Sequence, residues 1–555
     1  MAHQLDRSSG ELNPIMKWIR FAFVVSMVTL PAAARAQAPG EPKKQEQSAG
    51  RPGAGAAVPE PGGEAKAVTQ AILEEIDKHS ELMANIEYLC DMIGPRLTGS
   101  PGLNKANHWT RDKFRQYGLS NAHVEPWMIE RAWTRGEAKG RVVVPVEQRI
   151  LLESAGWSPS TKGPQRGPVI HVKAQSADEL SPYKGKLKGA WVLLAEVSVQ
   201  PSPKQPQTNP EGEMRRRVRD FTRLMEFRQE LKKFLVAEGV AGVLRDSNKE
   251  HGLINMTTAA SNFTQAEVAE AFLTTESYGL IWRLLKRGPV ELEIELKNTF
   301  STGEVEVYNT VAEIPGSEKP DEVVIIGGHI DSWDLGTGAT DNGTGIMAVL
   351  EAARALKAVG VQPKRTIRFV LFSGEEEGLH GSRAYVKAHE KEMSKISGVL
   401  IHDTGTGRVK SIGLQGRYDL REVMDKVVEP FKDAVNLEEL SMRTMMGTDH
   451  MSFLPHGVPA FAVVQDMAEY RKTHHTESDT FDKVYPDEIN QGAKVLAAWA
   501  YNVAMLPEVL PRDPKPARPG MFDAPEFRQP RDQKPKSDEP KPQRNDGRVA
   551  AEAGR

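Results

Sequence analysis

The chain has 555 residues, 39% hydrophobic and 26% charged, with 72 Lys and Arg against 75 Asp and Glu. That composition excludes a wholly disordered chain and a multi-span membrane protein, and leaves room for roughly two to four domains. The net charge of −3 gives no electrostatic basis for nucleic acid as a partner, and the single cysteine, Cys90, excludes an intramolecular disulfide and any thiolate metal cluster.

The first 36 residues read as an export signal. Lys17 and Arg20 flank an apolar run, Phe21 to Leu30, that ends in the small-x-small sequence Ala34-Arg35-Ala36. The run is shorter than the ~20 apolar residues that span a bilayer, so no integral span is expected after processing, and the localisation expected is secreted or periplasmic. An uncleaved anchor is the alternative. Residues 37–66 are Pro, Gly, Ala and charge, and 509–555 are Pro among Lys, Arg and Asp. Neither stretch offers enough apolar surface to offset its ordering entropy, so both are expected to be a disordered linker and tail.

Between them, about 440 residues are expected to fold. Helical spacing dominates 67–118, through Ile72, Ile76, Leu82, Ile86, Leu89 and Phe114, with Ser80 as a helix cap and 94–101 as a loop of turn residues. From 141 to about 297 the pattern shifts to short β runs such as 141–144 and 190–194, with a charged helix over 221–238. Few polar clusters converge there, and the block reads as accessory. From Val305 strands and helices alternate, which predicts an α/β sheet.

The chemistry concentrates in that last block. The strand 323–328 ends in His329-Ile330-Asp331, whose first and third side chains face the same way, so Asp331 can back the imidazole. Asp341 stands just before a helix bearing Ile346, Leu350 and Leu356; alone it reads as a helix cap. The strand 366–372 runs into Glu375-Glu376-Glu377, where one carboxylate can hold a metal while its neighbour addresses a water. The strand 398–401 ends in His402-Asp403, and the run 460–464 is followed by His474-His475. Each candidate lies beyond the C-terminal end of a strand, where open α/β sheets bind ligands. His329, Asp341, Glu376, Asp403 and His475 form a nitrogen-and-oxygen set suited to two divalent ions, zinc first among them, and to amide hydrolysis.

The segments GGHIDSWDLGTGATDNGTG, FSGEEEGLHGS, HDTG and HHTESDT, with IGPRLTGSPGL, VYNTVAEIPGS and GTDHMSFLPHGVPAF, resemble the di-zinc exopeptidases of metallopeptidase family 28, in particular the carboxypeptidase Q branch. The resemblance implies an α/β/α zinc-exopeptidase sandwich, with peptidase parts at 67–154 and 301–508 and a β-rich protease-associated domain inserted at 155–300. It implies two zinc ions per chain: His329 and Asp403 on one, Glu376 and His475 on the other, Asp341 bridging. It makes Glu375 the general base, Asp331 the carboxylate behind His329, and Glu377 a solvated bystander.

The resemblance further implies a cis peptide at Asp341-Asn342, although the relatives carry Asp-Asp where this chain has Asn342. Asp449 and His450 match a position near the substrate cleft, and Arg417 or Arg443 is a candidate for a terminal carboxylate. The partner expected is a dipeptide or short peptide; a homodimer is left open. Two other readings stand beside the exopeptidase: a non-catalytic binding ectodomain of the same fold, and a single-zinc aminoacyl cyclase or transferase.

Overall fold

The computed structural model describes residues 63–196 and 226–514. The expected signal sequence, most of the linker, the start of the charged helix and most of the tail lie outside the described residues. No helix among the described residues is long and apolar enough to cross a membrane.

A seven-stranded sheet forms the larger lobe. Its strands are β1 (Ser120–Ile129), β2 (Val305–Ile314), β3 (Lys319–His329), β4 (Arg365–Phe372), β5 (Ile396–Ile401), β6 (Val409–Gly413) and β7 (Ala460–Gln465), and they lie in the order β1-β2-β4-β3-β5-β7-β6. β3 pairs in parallel with β4 on one side and β5 on the other, and β5 with β7; the two edges are antiparallel. β4 and β5 are buried at every residue, as expected of parallel strands covered on both faces.

The pleat of β3 separates two cores. Val324 and Ile326 pack with Ile346, Leu350 and Trp499 on one face; Val323 and Ile325 pack with Tyr385 and Phe453 on the other. Helices α1 (Gly63–His79), α3 (Thr344–Val359) and α4 (Pro486–Ala504) cover the first face. Helix α2 (Pro101–Gln116) starts at a proline, with the Ser100 hydroxyl accepting from the Leu103 N–H at 3.1 Å. Ser80 accepts from the Leu82 N–H, one place outside the residue that flanks the next helix.

The described residues reach into both stretches expected to be disordered. Helix α1 begins at Gly63, within the stretch read as linker, and Leu510 is buried with its N–H on the Ser397 hydroxyl. The start of the tail is held by the burial of Leu510 and by hydrogen bonds at Pro511, Arg512 and Asp513.

The second lobe is an eight-stranded sheet. Its strands run, in spatial order, 148–150, 133–144, 291–300, 165–171, 191–193, 242–246, 270–273 and 152–154, parallel in the middle and antiparallel at the flanks. It therefore draws strands from both sides of residue 155. Helix Thr275–Leu285 packs Tyr278 and Ile281 onto Trp191, Leu244 and Leu292. Between the lobes, Trp127, Trp133, Trp157, Met256, Phe263 and Trp333 share one buried apolar cluster. The lobes are joined by core, not merely by linkers.

Candidate metal centre

After β3 the chain sits on one side of the sheet for β4 and crosses to the other for β5, so their C-terminal ends diverge beside His329. Such a switch point opens a crevice. His329 on β3, the Glu375–Glu377 turn after β4, Asp403 after β5 and the 474–479 loop after β7 all converge there. Asp341 enters from the turn before α3. Its peptide bond to Asn342 is cis.

Asp341 sits between two groups. Its Oδ1 is 3.3 Å from His329 Nε2, which lies 3.1 Å from Asp403 Oδ1. Its Oδ2 is 3.5 Å from His475 Nε2, which lies 2.9 Å from Glu376 Oε2. The five residues singled out as ligands are thus brought together, with one carboxylate facing both halves. His474 stacks on His475, its Nε2 3.8 Å from Asp341 Oδ2, and is a further donor at the same place.

The donor set fits divalent cations. Asp341 Oδ2 and Glu376 Oε1 are buried with no hydrogen-bond partner, a costly arrangement for carboxylates unless a cation meets them. Burial pushes the Glu376 carboxyl well up, reinforced by the charge of Asp341, and likewise raises Asp403 against the pull of His329. Asp341 itself is held low: burial opposes this, but His329, His474 and His475 outweigh it. Burial lowers His475 to about 4, leaving the neutral imidazole a metal requires.

Asp331 stands behind His329. The Nδ1 of His329 is 3.1 Å from the Asp331 main-chain carbonyl and 3.6 Å from its Oδ1, so the hydrogen bond falls on the backbone and the carboxylate stands just beyond. Asp331 Oδ2 accepts from Thr98 Oγ1 and the Glu376 N–H. Glu375 lies in the same crevice, its carboxyl pushed well up by burial and by Asp403, Asp449 and Glu376.

Glu377 departs from expectation. It is only 8% exposed, with both carboxylate oxygens buried. Gly374 takes a φ of 69° and the Gly378 N–H returns to the Glu375 carbonyl, so the turn carries the third glutamate inward, toward Thr98 and Asp331. It is no solvated bystander.

Asp449 and His450 part company. Asp449 is fully buried near His329, Asp403 and Asp331, and burial pushes its carboxyl up to about 7. His450 Nε2 lies 3.0 Å from Gln415 Nε2 and 3.3 Å from the Met445 carbonyl, tying two loops together. Arg417 is already engaged, bidentate on Asp419 and donating to the Pro511 carbonyl. Arg443 is half-buried, and no ion pair among the described residues engages it.

Three residues without an assigned role in the sequence support the site: Arg96 and Asp479 lie within family-like motifs, Lys249 in none. Arg96, buried, donates to the carbonyls of Ile330 at 2.7 Å, Thr337 at 2.7 Å and Gly338 at 2.8 Å, fixing the loop from β3 to Asp341. Asp479 accepts from the Thr340 N–H and hydroxyl and from the Asp341 N–H at 3.1 Å. Lys249, from the second lobe, donates to the carbonyls of Arg471 and His474. Asn342 has a positive use for its amide: Nδ2 donates to the His402 carbonyl and Oδ1 accepts from the Gly345 N–H. Gly345 must be bare, since a Cβ there would lie 2.3 Å from that carbonyl.

Residues 309–500 match the family model described as Peptidase family M28. Carboxypeptidase Q of Pongo abelii is 31% identical over 428 residues, covering 76% of this chain and 85% of that protein. The chain belongs to peptidase family M28. Membership makes it a hydrolase, a metallo-exopeptidase. The human carboxypeptidase Q is 30% identical over the same length. Among solved structures, a peptidase M28 precursor from Shewanella amazonensis is 26% identical with a TM-score of 0.68, covering 81% of this chain and 99% of that one. BSAP, a zinc aminopeptidase from Bacillus subtilis, has a TM-score of 0.56 at 20% identity over 77% and 95% of the two chains, a likeness of fold.

Proposed function

We propose that this M28 peptidase is an exported, di-zinc exopeptidase that hydrolyses dipeptides or short peptides. The observation that carries the reading is the two-sided placement of Asp341, one oxygen toward His329 and Asp403 and the other toward His475 and Glu376. His329, Asp403 and Asp341 would hold one zinc; Glu376, His475 and Asp341 the other. Zinc in that setting supplies Lewis acidity to the scissile carbonyl and lowers the pKa of a water.

The chain's own groups do the rest. The Glu375 carboxylate takes a proton from the attacking water and returns it to the leaving amine. Asp331 and its Thr98 partner keep the His329 ring in register. Asp449, a buried carboxyl beside the cluster, is placed for a substrate amine, and Arg443 is the remaining candidate for a carboxylate.

Export rests on the pattern at 17–36. Intact mass of protein recovered outside the cytoplasm should place its first residue near Gln37; retention of residues 16–36 would overturn export. A panel of free dipeptides with N-acetylated and C-amidated controls tests the activity. Cleavage of free dipeptides, abolished by a chelator and restored by zinc, is expected. Loss on N-acetylation alone marks an aminopeptidase, and loss on amidation alone a carboxypeptidase. Full activity in metal-free protein would overturn the reading.

A further inference from the structure

His475 is an awkward residue to hold. Its φ of 61° lies in the left-handed region, which costs a non-glycine residue on the order of 1 kcal/mol and persists only where the surroundings impose it. On the peptidase side, Asp479 ties the loop to Thr340 and Asp341. On the other side every restraint comes from residues 249–256 of the second lobe. The Met256 N–H donates to the carbonyl of His475 itself at 2.9 Å. The Ile254 N–H donates to the Glu477 carboxylate at 2.9 Å. The Lys249 ammonium donates to the carbonyl of His474, just past the short helix Tyr470–Thr473, at 2.9 Å and to that of Arg471 within it at 2.7 Å.

Two of these restraints are backbone amides that any sequence could supply; the lysine is not. Its two acceptors bracket the stretch that turns the chain into His475. Without the ammonium, both carbonyls lose a charge-assisted donor in a half-buried place, and the left-handed turn loses its anchor on that side. The other metal-facing group has no comparable dependence: His329 is the last residue of β3, Asp403 lies two residues beyond β5, and among the described residues no hydrogen bond joins either to residues 249–256.

We propose that the second lobe is part of the metal centre, with Lys249 a positioning residue for the His475–Glu376 half and not for the His329–Asp403 half. The inference rests on the di-zinc reading above. It gives the second lobe a role in assembling the site, in addition to any part it takes in shaping the cleft.

The test is a zinc titration of the full-length apo-protein by calorimetry, with unfolding temperature recorded at saturating zinc. Wild type should bind two equivalents. Lys249→Met should bind one at the wild-type affinity and the other at least tenfold more weakly, the loss typical when support around a metal ligand is removed. Lys249→Arg, which restores charge and donors, should recover most of that affinity. Lys249→Gln, which keeps neutral N–H donors but loses the charge, should fall between and provides the measurement if Lys249→Met does not fold.

Glu376→Gln should weaken the same equivalent, and the double variant Lys249→Met/Glu376→Gln should lose less than the sum of the single losses. Two wild-type-affinity equivalents in Lys249→Met or Lys249→Gln, or equal weakening of both equivalents, would overturn the assignment. Fewer than two equivalents in the wild type would instead overturn the di-zinc reading on which it rests.

Discussion

Glu375, Glu376 and Glu377 are consecutive and chemically identical, yet the turn after β4 gives them three environments. Glu376 meets His475 at 2.9 Å, Glu375 lies in the crevice near Asp449, and Glu377 is folded beneath, beside Thr98. Single substitutions should separate them. Glu376→Gln should lower zinc content, because a neutral amide is a poor zinc ligand. Glu375→Gln should keep its zinc and lose at least ~10²-fold in kcat, the scale of a missing general base. Glu377→Ala should leave zinc binding within a few-fold but cost about 1–3 kcal/mol of stability through the hole it opens. Zinc content, turnover and unfolding temperature measured on all three decide the matter. A Glu377→Ala variant as stable as wild type would show that its side chain is solvated after all.

That His329, Asp341, Glu376, Asp403 and His475 would cluster was legible in the sequence because each sits at the end of a recognisable strand or helix, next to glycine and other polar groups. What supports the set was not. Arg96 is 245 positions before Asp341 by subtraction of their numbers, and its partners are main-chain carbonyls, which no side-chain pattern announces. Asp479 lies within the motif HHTESDT but nothing there marks its bonds to Thr340 and Asp341, and Lys249 lies in no motif and acts on backbone carbonyls. Glu377 was misread because position after a strand says nothing about which way a turn rolls.

Among the elements, β3, β4, β5 and β7 were readable as continuous apolar runs because both their faces are buried. The second lobe was harder. Three of its strands have three residues each, too few to show an alternation, and strand Trp133–Val144 is part-exposed along most of its length. Contacts between elements are where pH dependence should appear. His389, after helix His380–Ala388, lies 3.0 Å from Glu125 on β1 and 3.2 Å from Glu392.

Burial would lower the His389 pKa, but the hydrogen bond and charge of Glu125, with those of Glu392, raise it above 6.5. Burial would raise Glu125, but His389 and His123 hold it below 4.5. The sign follows. The histidine's contribution is fully present below its unfolded value of about 6.5 and fades as pH rises through the higher folded value; the glutamate's is present above about 4.5 and fades on acidification. His389→Gln should therefore lower the unfolding temperature most at about pH 5.5 and progressively less toward about pH 9. A deficit that grew with pH would contradict the pairing.

At the scale of the whole molecule, the centre gathers more buried acid than the nearby bases can neutralise. Burial pushes Glu375, Glu376 and Glu377 well up, and Asp449 to about 7. In protein stripped of metal, these groups stay protonated in the fold at a pH where the unfolded chain has released its protons. The contribution of these acids to stability therefore falls as pH rises from about 4 through about 7, while His474 and His475, whose pKa values burial holds down, act in the opposite sense below about 6.5. Zinc reverses the balance. It selects the ionised carboxylates and the neutral imidazole, so its binding releases protons and tightens with pH. At a hundredfold excess over Kd a bound ion stabilises the fold by about 2.7 kcal/mol. The gap in unfolding temperature between zinc-loaded and chelator-treated protein should therefore widen from about pH 5.5 to about pH 8, because zinc binding tightens as protons are released and, above about pH 6.5, the buried acids still weaken the chelated form. Scanning calorimetry at both pH values, with and without chelator, measures it. A gap that stayed constant or narrowed would mean that the buried acids are balanced by something other than a bound cation.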